Sequence, residues 1–246
     1  MKILGVIPAR YNSTRFPGKP LVRLLGKPMI IWVAEAAVKA LGIQNVVIAT
    51  DDERIHEVVS EYGYNTVMTS SKHLTGTDRL VEVANIIEAD LYVNIQGDEP
   101  TIDYRDINKL IEAKIEFPSY VINGMTKICA DEDPKSINIP KVVVNQSSNL
   151  IYMSRAMVPG YKDFKNRPKF YCKQVCIYVF SREDLFSFGR IVEKGPLEKS
   201  EDIEILRFLE INIPVKMISL DSQNLAVDEP EDVSKVEKKL TEIQMR

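Results

Sequence analysis

Residues 2–21 of the chain read KILGVIPARYNSTRFPGKPL, in which a strand-like apolar run is followed by a polar, basic segment. The apolar run Ile3–Ile7 breaks at Pro8, which predicts a short buried strand followed by a long turn. The turn contains small, polar and basic residues, namely Arg10, Ser13, Thr14, Arg15, Gly18 and Lys19, and Pro20 closes it.

The turn combines the features that bind polyphosphate: backbone that a ligand can approach closely, free N–H groups and positive charge. A solvated loop between a strand and a helix explains the same pattern equally well. Neither common phosphate loop is present, because the stretch lacks both G-x-x-x-x-G-K-[ST] and G-x-G-x-x-G.

Alternating apolar segments follow the turn. PMIIWVAEAAVKAL, from Pro28, predicts a helix; Val46–Thr50 predicts a strand; and a second helix, capped by Asp51 or Asp52, is expected to end at Gly63. This order predicts an α/β fold with a doubly wound, mostly parallel sheet, in which ligands bind at the carboxyl ends of the strands.

Leu91–Ile95 is the most strand-like run, and it ends at Gln96-Gly97-Asp98-Glu99-Pro100. Packing alone explains an acidic pair at this position poorly, because a buried carboxylate costs free energy unless it is paired or bound to a cation. Mg²⁺ binds one or two carboxylates together with phosphate oxygens. The acidic pair Asp98-Glu99 is therefore a candidate metal site.

Composition limits the classes of function that the chain can have. Its 246 residues suffice for one sizeable core, and a net charge of −3 argues against a nucleic-acid partner, which requires a basic face. No apolar run reaches the roughly 20 residues of a membrane span. Three cysteines make no disulfide framework, and the sequence starts without a secretory signal, so we expect a bacterial cytoplasmic protein.

Seven motifs, taken together, resemble the 3-deoxy-manno-octulosonate (Kdo) cytidylyltransferases, also called CMP-Kdo synthetases. The first motif is shared more loosely with the synthetases that activate sialic and related acidic sugars. The motifs lie in order at residues 7–20, 73–79, 96–100, 154–159, 174–178, 201–207 and 227–232. The resemblance implies one nucleotidyltransferase domain over 1–246, with the Rossmann-like fold of the nucleotide-diphospho-sugar transferases. It also implies a β-rich insertion at roughly 120–180 that contributes to a homodimer.

The resemblance implies three groups of site residues. The nucleotide CTP would contact Pro8, Ala9, Arg10, Ser13, Lys19, Thr77 and Arg79. Mg²⁺ would bind Asp98 and Asp228. The acidic sugar would contact Gln96, Arg155, Gln174, Tyr178, Glu201 and Glu204. Catalysis would depend on Arg10, Lys19, Asp98 and Asp228.

Ordinary structural roles explain some of these residues as well. Thr77 or Asp78 could simply cap the helix that follows, and Arg155 could be a surface residue after a strand. The segment SEDIEILRFLE, which carries Glu201 and Glu204, is expected to form one helix.

Four positions depart from the family pattern. Gln174 replaces a histidine and Cys176 a glycine on one face of the strand expected over residues 169–180, Ile205 replaces a glutamine, and Glu229 replaces a threonine. Drift in a tolerant pocket explains the first three, and so does a related but different sugar acid.

The expected activity is the transfer of a cytidylyl group from CTP to a Kdo-type acid, with release of pyrophosphate, for lipopolysaccharide or other surface polysaccharide synthesis. One alternative is the same chemistry on an amino-modified Kdo, a nonulosonate or a phosphonate. Another is a non-catalytic nucleotide-binding regulatory protein.

Overall fold

The computed structural model describes residues 1–12, 16–130, 132–221 and 223–245. Its strands are β1 (Ile3–Ala9), β2 (Arg23–Leu24), β3 (Lys27–Pro28), β4 (Val46–Thr50), β5 (Asn65–Met68), β6 (Leu91–Ile95), β7 (Val121–Lys127), β8 (Lys141–Val144), β9 (Leu150–Ser154), β10 (Cys172–Ser181) and β11 (Val215–Ser219). Its α-helices are α1 (Met29–Leu41), α2 (Glu53–Glu61), α3 (Gly76–Ile86), α4 (Tyr104–Glu116), α5 (Arg182–Gly189), α6 (Pro196–Glu201), α7 (Leu206–Glu210) and α8 (Asp232–Gln244). None of these helices combines the length and apolar character needed to cross a bilayer.

Nine of the described strands form one sheet, and its main path runs β11-β7-β10-β6-β1-β4-β5. The pairs β1–β4, β1–β6, β4–β5 and β7–β11 are parallel. β10 lies between β6 and β7 and is antiparallel to both. The predicted doubly wound, mostly parallel sheet is therefore confirmed.

The first strand continues through Pro8 to Ala9, so the predicted break at Pro8 is wrong. Pro8 has no N–H to donate, but the pairing of β1 with β6 already ends at Val6 and Asn94. Beyond that point Pro8 lies beside Ala49 of β4. The proline therefore interrupts no pairing with β6, and the turn starts only after Ala9.

Helices cover both faces of the sheet. α1, α2 and α4 pack on one face through a buried apolar cluster that includes Ile30, Ile55 and Ile107. α3, α5 and α7 pack on the other face through a cluster that includes Leu80 and Phe188. Because both faces are covered, the carboxyl ends of the parallel strands are the edge at which a ligand can bind.

The helix starts differ from the sequence expectations in detail. Asp52 caps α2, as expected for one of the two aspartates, by accepting from Arg54 N. Thr75 is the N-cap of α3 and forms a reciprocal capping box with Asp78, so α3 begins before Thr77. The expectation that Thr77 or Asp78 is the cap is therefore wrong, although Asp78 takes part in the capping.

The single helix expected over SEDIEILRFLE is also wrong. α6 ends at Glu201, Asp202 adopts the left-handed conformation with φ of 50° and ψ of 48°, and α7 begins only at Leu206. This break turns Glu201 and Glu204 toward different partners.

The β-rich region expected at roughly 120–180 divides into two parts. β7 and β10 belong to the main path of the sheet, whereas β8 and β9 pair with each other and join β10 at Cys172 and Lys173. Exposed apolar side chains lie on or near this extension: Ile151 is 57%, Phe164 73% and Phe170 55% exposed.

Candidate functional site

A cavity of about 660 Å³ opens at the carboxyl ends of β1 and β6. Its wall is formed by the loops after β1, β6 and β9, the loop between β7 and β8, the start of α3, residues 173–178 of β10, the loops before α6, α7 and α8, and the start of α8. The volume lies within the usual range of ligand pockets, and the location is the one expected for a doubly wound sheet.

Lys19 lies between the two carboxylates that were expected to bind a metal. Gly18 adopts a φ of 73°, which turns the chain into a short 3₁₀ helix that begins at Lys19. The Nζ atom of Lys19 donates to Asp98 Oδ2 over 2.7 Å and lies 3.7 Å from Asp228 Oδ1. Val227 N donates to the carbonyl oxygen of Asp98 over 2.9 Å, which joins the two acidic loops.

Two carboxylates that share one ammonium group also suit a hard divalent cation, so the residues present fit Mg²⁺. Lys19 already places a positive charge against both Asp98 and Asp228. Among the residues that the structure describes, no group of three or more His, Cys, Asp or Glu side chains could hold a metal by itself. Phosphate oxygens of a bound nucleotide would have to complete the ligand set.

The end of the first strand contributes to the same corner. Arg10 is exposed and lines the cavity, whereas Pro8 and Ala9 are buried in β1. A Cβ atom at Gly97 would lie 2.9 Å from the Pro8 carbonyl oxygen, and one at Gly76 would lie 3.2 Å from Pro8 Cγ. These two glycines therefore let the loop after β6 and the start of α3 approach the first strand closely.

Thr77 and Arg79 are buried, with 1% and 4% of their surface exposed, and neither is among the residues that line the described cavity. Thr77 N donates to Glu204 Oε2 over 2.9 Å, and Arg79 Nη2 donates to Asp51 Oδ1 over 3.1 Å. Burial lowers the pKa of Arg79, and the charge of Asp51 opposes this effect. A nucleotide contact by either residue stays a prediction. Ser13 lies outside the described residues.

Gln96 and Glu204 form a hydrogen-bonded pair on the cavity wall. Gln96 Nε2 donates to Glu204 Oε1 over 3.0 Å. Burial raises the pKa of Glu204, although the bond from Thr77 N favours its charged form.

Ile205, which departs from the family pattern, is fully buried in the apolar core and is not among the described cavity-lining residues. This substitution therefore affects core packing.

Glu201 holds the end of β9. Its Oε1 accepts from Ser154 Oγ over 2.7 Å and from Tyr152 OH over 3.2 Å, and its Oε2 accepts from Arg155 N over 2.8 Å. Burial would raise the pKa of Glu201, but these bonds and the Arg155 charge hold that pKa below its ordinary value. Glu201 is not among the described cavity-lining residues. It bonds Ser154 and the backbone of Arg155, and Arg155 does line the cavity.

Arg155 lines the cavity, but its guanidinium is already bonded to backbone carbonyls. It donates to Glu201 O over 2.6 Å, to Ile137 O over 2.8 Å and to Asp202 O over 3.1 Å. An arginine has five N–H donors, so a sugar carboxylate could use those that remain. Asp202 follows Glu201 directly and adopts a left-handed conformation. This conformation brings the carbonyl groups of Glu201 and Asp202 to the same guanidinium group.

Gln174, Cys176 and Tyr178 all line the cavity, as expected for side chains on one face of β10. A register shift lies between Val175 and Tyr178. Gln174 Nε2 donates to Tyr178 OH and to Asn123 Oδ1, each over 3.1 Å. Burial raises the pKa of the Cys176 thiol and of the Tyr178 phenol well above their ordinary values, so both groups stay protonated near neutral pH. The departures at positions 174 and 176 therefore lie on the cavity wall itself.

Glu99 is a cavity-lining residue to which the sequence analysis assigned no role of its own. It is 6% exposed, and its Oε1 accepts from Cys176 N over 3.2 Å. Burial, with a further contribution from the Asp98 charge, raises the pKa of Glu99 to about 7. The sequence did point to this residue, because Glu99 belongs to the acidic pair that follows β6.

Two ion pairs on the cavity wall could not be predicted from the sequence. Lys173 pairs with Glu132, and Lys194 Nζ lies 2.5 Å from Asp202 Oδ1. These residues come from separate loops and strands, and no periodicity or motif connects them.

Comparison with known proteins places the chain among relatives of similar length. The profile of a family described as cytidylyltransferase matches residues 4–219. A 3-deoxy-manno-octulosonate cytidylyltransferase from Geobacter metallireducens is 40% identical over 255 residues, which cover 100% of both chains. One from Escherichia coli is 37% identical over 235 residues, 96% of this chain and 94% of the relative. A solved CMP:2-keto-3-deoxy-manno-octonic acid synthetase complexed with CTP matches with a TM-score of 0.90 and 37% identity, over 98% of this chain and 99% of that one.

Proposed function

The chain belongs to the cytidylyltransferase family, and from that premise we propose that it transfers the cytidylyl group of CTP to Kdo, which gives a CMP-sugar and pyrophosphate. The observation that supports this best is the position of Lys19 against both Asp98 and Asp228 beside a large cavity. The cationic group there can bind the triphosphate, and the two carboxylates can hold a cation beside the attacking hydroxyl.

In the proposed reaction, the anomeric hydroxyl of the acid attacks the α-phosphorus of CTP, and the bond from that phosphorus to the pyrophosphate oxygen breaks. No side chain has to act as a nucleophile. Positioning and charge neutralisation therefore supply most of the rate. Arg10 and Lys19 stabilise the charge that develops on the departing pyrophosphate.

We propose Mg²⁺ as the cofactor, with Asp98 and Asp228 as its protein ligands. When bound, the ion would neutralise phosphate charge and lower the pKa of the attacking hydroxyl. The bond from Val227 N to Asp98 O holds the two acidic loops together, which supports a shared ion between Asp98 and Asp228.

We assign the acceptor acid to the side of the cavity next to β10 and the loop before α7. The residues assigned to it are Gln96, Arg155, Gln174, Tyr178, Glu201 and Glu204. Amide and phenol groups can bond sugar hydroxyls, and the guanidinium attracts the sugar carboxylate. Glu201 and Glu204 act through the residues they hold, since Glu201 bonds Arg155 N and Glu204 accepts from Gln96.

A pyrophosphate-release assay with CTP, Mg²⁺ and a panel of sugar acids tests the proposed function. Kdo is expected to support turnover, whereas glucose, which lacks the carboxylate, is not. Tight CTP binding without pyrophosphate release on any acid would instead favour a regulatory nucleotide-binding protein.

A different acceptor, such as an amino-modified Kdo, a nonulosonate or a phosphonate, is the second candidate, because Gln174 and Cys176 line the cavity. If these residues disfavour Kdo, the double variant Gln174→His/Cys176→Gly is expected to raise kcat/KM for Kdo about tenfold, the lower end of what a small change in pocket volume contributes. The same assay measures the effect. Cys172→Gly is the matched control, since Cys172 lies on the same strand outside the described cavity wall. An unchanged kcat/KM would assign the substitutions to drift.

We further propose a cytoplasmic homodimer whose product serves lipopolysaccharide or capsule synthesis. The exposed apolar side chains Ile151, Phe164 and Phe170 support association through the β8–β9 extension. Light scattering is expected to give twice the chain mass of 28.0 kDa, and a monomer at micromolar concentration would contradict the dimer.

A further inference from the structure

Glu99 has a carboxylate oxygen whose hydrogen bonding is incomplete. The side chain lines the cavity and is 94% buried, given its 6% exposure. Its Oε1 accepts from Cys176 N, but no group in the described part of the chain donates to its Oε2. A buried polar atom without a partner costs free energy, so a group that supplies the missing hydrogen bond gains affinity.

The neighbouring side chains do not compensate this oxygen. Lys173, whose charge lowers the pKa of Glu99, is paired with Glu132. The protonated thiol of Cys176 donates to the Glu99 carboxyl group, but S–H is only a weak donor and does not satisfy both oxygens. The carboxylate therefore remains available to a stronger donor that enters the cavity.

We propose that Glu99 is a substrate-binding residue, and that its Oε2 accepts a hydrogen bond from a hydroxyl or ammonium group of the acceptor sugar acid. This inference rests on the function proposed above. It adds to that function a residue that selects the acceptor by a donor group rather than by the acceptor's carboxylate.

The position of Glu99 assigns it to the acceptor and not to the triphosphate. Its other oxygen is bonded to the backbone of β10, the strand that carries Gln174 and Tyr178. A carboxylate repels phosphate, and the groups suited to phosphate, Lys19 and Arg10, belong to the first turn. A sugar donor is the ligand group that this oxygen favours.

The variant Glu99→Gln separates substrate binding from structural support. Its amide keeps a carbonyl oxygen that can accept from Cys176 N, and it replaces the free oxygen with an NH₂ group that cannot accept. At pH 8, above the Glu99 pKa of about 7, the carboxylate is mostly charged, and we expect the KM for Kdo to rise about ten- to a hundredfold, as for the loss of a hydrogen bond to a charged group, while the KM for CTP changes less than about twofold. Pyrophosphate release, with each substrate varied in turn, gives both constants.

Asp133→Asn is the matched control, because it makes the same change at an exposed position on the same cavity wall. It should leave both KM values unchanged. An unchanged KM for Kdo in Glu99→Gln, or equal changes in both KM values, overturns the inference while wild-type turnover leaves the proposed function intact. No wild-type turnover with any sugar acid refutes the function and this inference together. A larger loss for an amino-substituted acceptor than for Kdo identifies an ammonium donor, and equal losses identify a hydroxyl.

Discussion

Asp98→Asn is expected to lower kcat by about a hundred- to a thousandfold and to change the affinity for CTP by less than about tenfold. Negative charge develops on phosphate oxygens chiefly in the transition state, so a group that organises cationic charge there affects kcat more than ground-state binding. Asp98 is suited to this role because its Oδ2 accepts a hydrogen bond from Lys19 Nζ over 2.7 Å. In addition, its backbone is hydrogen-bonded to the loop that carries Asp228.

Two measurements check this expectation: the kcat of pyrophosphate release at saturating substrates, and the dissociation constant of CTP by titration calorimetry. Asp133→Asn again provides a control, because it removes one negative charge from the same cavity without touching Lys19. An unchanged kcat in Asp98→Asn would exclude Asp98 from the mechanism. A loss of CTP affinity as large as the loss of kcat would make Asp98 a ground-state binding residue.

The sequence predicted the fold well because its elements are regular. Val46–Thr50 and Leu91–Ile95 are short, mainly apolar runs bounded by polar residues, and the structure places strands with those bounds. The motifs indicated a family, and a relative that matches over the full length of the chain confirms it. The motifs also included residues that the structure brings together from distant parts of the chain, such as Lys19 and Asp228.

The errors arose where one residue overrides a pattern. Pro8 normally ends a strand, but it is tolerated here because the neighbouring strand β6 has stopped pairing before it. Asp202 interrupts an otherwise helical sequence by adopting a positive φ, and tertiary contacts such as the bonds from Arg155 to the carbonyls at 201 and 202 favour this conformation.

The partners of charged residues were also beyond prediction. The motif at 201–207 included Arg207, but nothing in the sequence connects this arginine with Glu198 and Asp78. Arg207 Nε and Nη2 donate to the two carboxylate oxygens of Glu198 over 2.6 and 2.8 Å, and Nη1 donates to Asp78 Oδ1 over 2.7 Å. Partner choice of this kind depends on the packing of α3, α6 and α7, which periodicity does not encode.

This buried network connects the core to the cavity. Arg207 is 1% exposed, Glu198 is fully buried, and the guanidinium stacks on Phe188 with Cζ 3.8 Å from the ring centroid. Asp78 belongs to the capping box with Thr75 that begins α3, and Thr75 lines the cavity. The network therefore affects both the stability of the fold and the position of the loop before α3.

Arg207→Met is expected to reduce the free energy of unfolding by about 3–5 kcal/mol, because it leaves the Glu198 carboxylate buried without its partner. Urea denaturation followed by circular dichroism measures the change. Arg182→Met is the matched control: Arg182 pairs with Glu88 over 2.9 Å at a position where Glu88 is 83% exposed, and loss of such a surface pair costs at most about 1 kcal/mol. The double variant Arg207→Met/Glu198→Gln should recover part of the loss, since it removes the buried unpaired charge. If Arg207→Met is no less stable than Arg182→Met, the network contributes little to folding, and its role is confined to holding Asp78 and the start of α3 in place.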